Sequence, residues 1–109
     1  MLLATMNVIE PVDFSERLRA SLNDEGLVVS SLKVSSYSGG GVHVEIDGDA
    51  CITQIGIWPN GLFDVEYISL PSEKTTFLHR ELHSSDEALK LFIQEVRLAI
   101  NRASHASSK

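Results

Sequence analysis

The sequence predicts an α+β fold: a two-layer sandwich in which an antiparallel four- to five-stranded meander sheet carries an N-terminal and a C-terminal helix on one face, in the order α-β-β-β-β-(β)-α. Three observations predict it. Apolar residues recur at helical spacing near both ends of the 109-residue chain. Between those ends the period falls to two, and the connections are short enough to make consecutive strands antiparallel neighbours. Two amphipathic helices need an apolar surface to cover, and one face of the sheet supplies it, which leaves the other face open.

Residues 11–25 read as the first helix. Pro11 and Asp13 suit a first turn, Phe14, Leu18 and Leu22 recur at i, i+4 and i+8, and Gly26 supplies the stop. From Leu27 to Tyr37 a Val- and Ser-rich run suits a strand. Ser38-Gly39-Gly40-Gly41 breaks it, and Val42 to Asp47 then alternates strictly between apolar and polar. Asp47-Gly48-Asp49 signals a tight turn before a strand from Ala50 to Trp58. Pro59-Asn60-Gly61 turns the chain again, with Gly61 accepting a positive φ, into a strand from Leu62 to Leu70. After Pro71 to Lys74 a last strand runs from Thr75 to about Leu82, a segment that an extended loop would also fit. Ser84 with Glu87 is a capping-box pattern opening a helix to about Ala103, whose stripe is Leu89, Phe92, Ile93, Val96 and Ile100. The expected organisation is a single domain over residues 1–103 with a flexible tail at 104–109.

The alternation also sorts the faces. Val42, Val44, Ile46, Ile55, Ile57, Phe63, Val65 and Tyr67 are expected under the helices, and His43, Glu45, Gln54, Trp58, Asp64, Glu66 and Ile68 on the open side.

Nine Lys/Arg stand against fifteen Asp/Glu, a net charge of −6, and 43% of residues are hydrophobic. That composition excludes a disordered chain, and no apolar run is long enough for a membrane span. The acidic balance opposes non-specific nucleic-acid binding and makes basic partners the expectation. Cys51 is the one cysteine, so no internal disulfide forms. No cation precedes Arg17 and the leading apolar run is short, so a secretory signal is not expected and the cytoplasm is the expected compartment.

Motifs for catalysis impose no geometry. The glycine run leads into a strand with no Lys until Lys74, unlike a phosphate-binding loop. His79 and His83 have the spacing of two zinc ligands on a helix, but fall in a strand and a pre-helix loop. Cys51 suits a small core residue better than a nucleophile, and Asp47/Asp49 and Asp64/Glu66 suit solvated acids better than an acid–base pair. No catalytic residue, cofactor or metal is expected. The remaining signal is a surface. Between Val34 and Ser72 there is no Lys or Arg, while Glu45, Asp47, Asp49, Asp64 and Glu66 all occur there, with Tyr37 and Trp58 near the same loops. An aromatic anchor among acids fits a basic partner.

The stretches Gly56-Ile57-Trp58-Pro59-Asn60-Gly61, Phe63-Asp64-Val65-Glu66-Tyr67 and His79 through Leu89 resemble the TriTu-type immunity proteins of bacterial polymorphic-toxin systems. These show a Trp-x-x-Gly turn, an acidic strand and a Glu-Leu-x-Ser entry to a C-terminal helix. The resemblance covers roughly residues 40 to 100. It implies a cytoplasmic antidote without catalysis that binds a cognate Rhs-type toxin domain delivered by type VI secretion. In the namesake the toxin is an ADP-ribosyltransferase acting on elongation factor Tu, and its active site is blocked. The contact region expected here is Glu45, Asp47, Asp49, Trp58, Asp64 and Glu66. The alternative is a type III secretion-type chaperone, also small and acidic, which binds an extended effector segment as a homodimer; dimer mass together with loss of an upstream effector would favour it.

Overall fold

A computed structural model of the chain describes residues 7–34, 40–70 and 72–104, the last without its side chain. The elements run α1 (Pro11–Asp24), β1 (Ser31–Val34), β2 (Val42–Asp47), β3 (Cys51–Ile57), β4 (Leu62–Ser69), β5 (Lys74–Glu81) and α2 (Ser85–Ser104). The five strands form one antiparallel sheet in the order β1-β2-β3-β4-β5, so the meander is complete and Lys74–Glu81 is a strand rather than a loop.

Both helices are set by their ends. Glu10, which the sequence reading did not use, caps α1: its carboxylate accepts from the backbone N–H groups of Val12 and Asp13 at 3.2 and 2.8 Å. At the other end Gly26 takes φ +67, and the N–H groups of Gly26 and Leu27 donate to the carbonyls of Asn23 and Leu22. This is a Schellman stop. It reverses the chain and corrects the expected strand from Leu27 to Tyr37. Leu27 and Val29 pack against the core from a connecting segment, and pairing begins only at Ser31. Residues 35–37, including Tyr37, and Ser38-Gly39 of the glycine loop lie outside the described residues. At α2 the Ser84 hydroxyl accepts from Glu87 N–H at 3.1 Å, and Glu87 accepts from His83 N–H at 3.2 Å, a capping box displaced by one residue on its return bond.

The core lies between the helices and one sheet face. Val42, Val44, Ile46, Ile55, Ile57, Phe63 and Val65 are all buried there, as the alternation requires. Phe92 of α2 stands between Phe14 of α1 and Phe63 of β4, with ring centroids 5.8 and 5.7 Å away. Tyr67 is half-buried, and the Arg102 guanidinium lies 3.9 Å over its ring. Across the helices Arg17 bonds Ser85 and Asp86, and Arg97 pairs with Glu25.

Two turns hold the sheet to the rest. Gly61 takes φ +93 in the turn after β3, where an added Cβ would stand 2.2 Å from the Leu82 carbonyl oxygen. Its own carbonyl accepts from Leu82 N–H at 2.8 Å, and the Pro59 carbonyl accepts from Val8 and Ile9. At the opposite end Gly48 meets Ala103, where a Cβ would lie 2.3 Å from that side chain. The end of α2 therefore sits directly on the β2 to β3 turn.

Candidate binding face on the open side of the sheet

The antiparallel register sets the open face in cross-strand rows. One row reads Lys33, His43, Gly56, Asp64, His79, and the next reads Ser31, Glu45, Gln54, Glu66, Phe77. A third brings Asp47, Ile52, Ile68 and Thr75 together. No helix covers these rows.

Gly56 is the point where the face is lowest. A Cβ there would lie 2.8 Å from His43 Nδ1 and 3.3 Å from the Trp58 ring, so two aromatic rings rest on the space a side chain would fill. The rings meet nearly edge to face, centroids 5.2 Å apart at 81°. Trp58 is half-buried in this contact, and partial burial holds the His43 pKa below its ordinary 6.5 by disfavouring the cation. On the far side of Gly56, Asp64 Oδ1 lies 2.5 Å from His79 Nδ1.

Of the six residues expected at the contact, Glu45, Asp64 and Glu66 fall in two adjacent rows, and Trp58 stands over the Gly56 position beside Asp64. Asp47 lies one row further along, near enough to Glu45 that its hydrogen bond and its charge raise the Glu45 pKa above the ordinary carboxylate value. Asp49 is separated from Trp58. It belongs to the exposed turn beneath the end of α2, at the opposite end of β3. The structure therefore draws five of the six residues onto one face and leaves the sixth at its lower rim.

It also adds residues the sequence reading did not assign to the site. Lys33 and His79 flank the acids because β1 and β5 come from outside the cation-free stretch, so a run without cations does not make a face without them. Phe77, 61% exposed, enters beside Glu66. Alternation placed His43 on the open face but not its role there, nor that of Gly56: both rest on a ring lying over a missing side chain, which strand alternation does not encode. His79 and His83 do not converge as ligands, since His79 bonds Asp64 while His83 lies in the pre-helix loop. Among the described residues no group of three His, Cys, Asp or Glu is placed to hold a metal ion.

A family model described as immunity protein TriTu matches residues 13–97. The chain belongs to the TriTu immunity protein family. The match runs from the first turn of α1 to Arg97, about two turns before the end of α2, and so includes the helix and edge strand that the motifs after residue 40 left out. Neither the curated proteins nor the solved structures yield a match. Membership of an immunity family points to neutralisation of a toxin through binding of a cognate partner. No helix among the described residues of this TriTu-family chain is long and apolar enough to cross a membrane.

Proposed function

We propose that this TriTu-family protein neutralises a cognate antibacterial toxin domain by seating the open face of its sheet in a basic cleft, with Glu45, Asp47, Asp49, Trp58, Asp64 and Glu66 as the contact region. The observation that carries the reading is the placement of Glu45, Asp64 and Glu66 in adjacent rows of a face that no helix covers, beside the half-buried Trp58. Acids on a rigid sheet present charge before the partner arrives, which favours rapid, steered association. Trp58 supplies the apolar anchor that such contacts concentrate their affinity on.

We read the toxin as an ADP-ribosyltransferase, the class that the family resemblance implies and that the charge of the face accords with. An ADP-ribosyltransferase binds the pyrophosphate of NAD, and cationic side chains that hold phosphate also accept carboxylates. Occupation of that cleft by the acidic rows blocks the active site stoichiometrically, without turnover. The setting that accords with it is the cytoplasm of a cell carrying an Rhs toxin delivered by type VI secretion.

Co-expression with the toxin domain encoded beside the gene tests the reading. Rescue of growth is expected, together with complete inhibition of the purified toxin at about one equivalent, relieved by excess NAD if the two compete. Failure to rescue would remove the antidote reading and leave the effector-chaperone alternative standing.

A further inference from the structure

Among the described residues the large apolar side chains left exposed are Val12, Val28, Phe77 and Leu98, and of these Phe77 alone belongs to the sheet. It stands on the open face, 61% exposed, opposite Glu66. A single apolar residue on a surface needs no explanation. Phe77 has company. Ile52 and Ile68 are direct cross-strand partners, and Ile68 in turn opposes Thr75, two residues from Phe77 on the same side of β5. Phe77 is therefore a diagonal neighbour of Ile68, at about 7 to 8 Å, a separation that an aromatic side chain spans. The three make one apolar patch across β3, β4 and β5, on the side of the sheet that no helix covers.

The patch has an acidic border. Asp47 opposes Ile52, and Glu66 both faces Phe77 and precedes Ile68 by two on the same side of β4. The basic group next along β5 on this face, His79, is bonded to Asp64, and Lys33 lies at the other edge of the sheet on β1. Charge selects the occupant of such a surface. A second copy laid face to face would bring two faces of like net charge together, and a nucleic acid or an anionic lipid surface would meet the same repulsion. What fits is a protein surface whose apolar projection is bordered by Lys or Arg.

Resting on the toxin reading above, we propose that Phe77, with Ile68 and Ile52 beside it, is a second apolar anchor for the toxin domain and the one that governs how slowly the complex dissociates. Burial separates it from Trp58. The Trp58 ring is half-buried and already packs against His43, whereas the residue opposite Phe77 is a carboxylate and leaves its ring open to a partner. The two kinds of side chain act at different stages. Carboxylates attract a basic surface from a distance and set the rate of approach, while an apolar anchor contributes only once water has left the contact and so sets the rate of departure.

Surface plasmon resonance of the full chain with the toxin domain encoded beside the gene, at low and at high salt, tests the proposal. Phe77→Thr keeps the strand propensity of its neighbours Thr75 and Thr76. It is expected to raise the dissociation rate about thirtyfold or more at both salt concentrations, with the association rate within about twofold of the parent. Phe77→Leu should restore most of the lifetime. Ile68→Thr, which thins the patch from β4, should give a smaller loss in the same direction. Phe77 is exposed and its removal leaves the core intact, and the two variants lie on different strands, so a folding defect in one does not decide the result. A parent chain that does not bind the toxin domain overturns the toxin reading and this inference with it. A parent that binds, with Phe77→Thr and Ile68→Thr dissociating as slowly as the parent, overturns this inference alone, as does a loss confined to the association rate that vanishes at high salt.

Discussion

On β2 the side chains of Val42, Val44 and Ile46 enter a core that excludes water, whereas His43, Glu45 and Asp47, each one residue along, stand on a face that no helix covers. The same division continues through β3 and β4. Under the helices the rows are apolar and closely packed around Phe14, Phe63 and Phe92; on the open side they carry Glu45, Asp47, Asp64 and Glu66 between Lys33 and His79, with Ile52, Trp58, Ile68 and Phe77 as large apolar members. One backbone thus serves two surfaces whose requirements differ. The covered face is where stability resides, and its side chains contribute by burial. The open face is preformed by that packing and is free to carry charge that a monomer does not need.

If that division is right, substitutions on the two faces separate stability from binding. The largest effect falls on the covered side. Phe92→Ala removes the ring between Phe14 and Phe63, and is expected to cost about 3 to 5 kcal/mol in urea unfolding, with toxin binding altered only through the folded fraction. Gly61→Ala comes next, since it meets both a φ of +93 and the Leu82 carbonyl. A loss of about 1 to 3 kcal/mol is expected, read from the same unfolding curves.

How much of this was legible from the sequence differs between the two faces. The covered face was readable because burial imposes periodicity: Val42 to Ile46 and the stripe of α2 announce their inward sides, and Gly61 and Ser84 mark turns whose chemistry is local. The start of β1 was not, because the Schellman stop after α1 uses Leu27 to Ser30 to return the chain, and a Val-rich run reads as a strand whether or not it finds a partner. On the open face the alternation placed Glu45, Asp64, Glu66 and Trp58 correctly. Its neighbours were hidden. Lys33, His79 and Phe77 join the site through strand register, a relation between distant segments, and the His43 ring over Gly56 depends on a side chain that is missing.

A smaller effect sharpens the comparison from the open side. Burial holds His43 below its ordinary pKa of 6.5, so the unfolded chain binds more protons than the folded one between the lowered value and 6.5. Its contribution is therefore complete above 6.5 and is lost as pH falls through the folded value. Urea midpoints measured from about pH 7.5 down to about pH 5 should decline, and His43→Gln should make that decline shallower. An identical pH profile in the variant would place the titration elsewhere.

The central claim, that the acidic open face is what the toxin meets, is tested most directly by stopped-flow association of the toxin domain with the double variant Asp64→Lys/Glu66→Lys. The account predicts an association rate reduced by about tenfold or more at low salt, a weaker dependence on ionic strength, and a stability loss of about 1 kcal/mol from the Asp64–His79 bond, too small to unfold the protein. An unchanged association rate with the same salt dependence would contradict it.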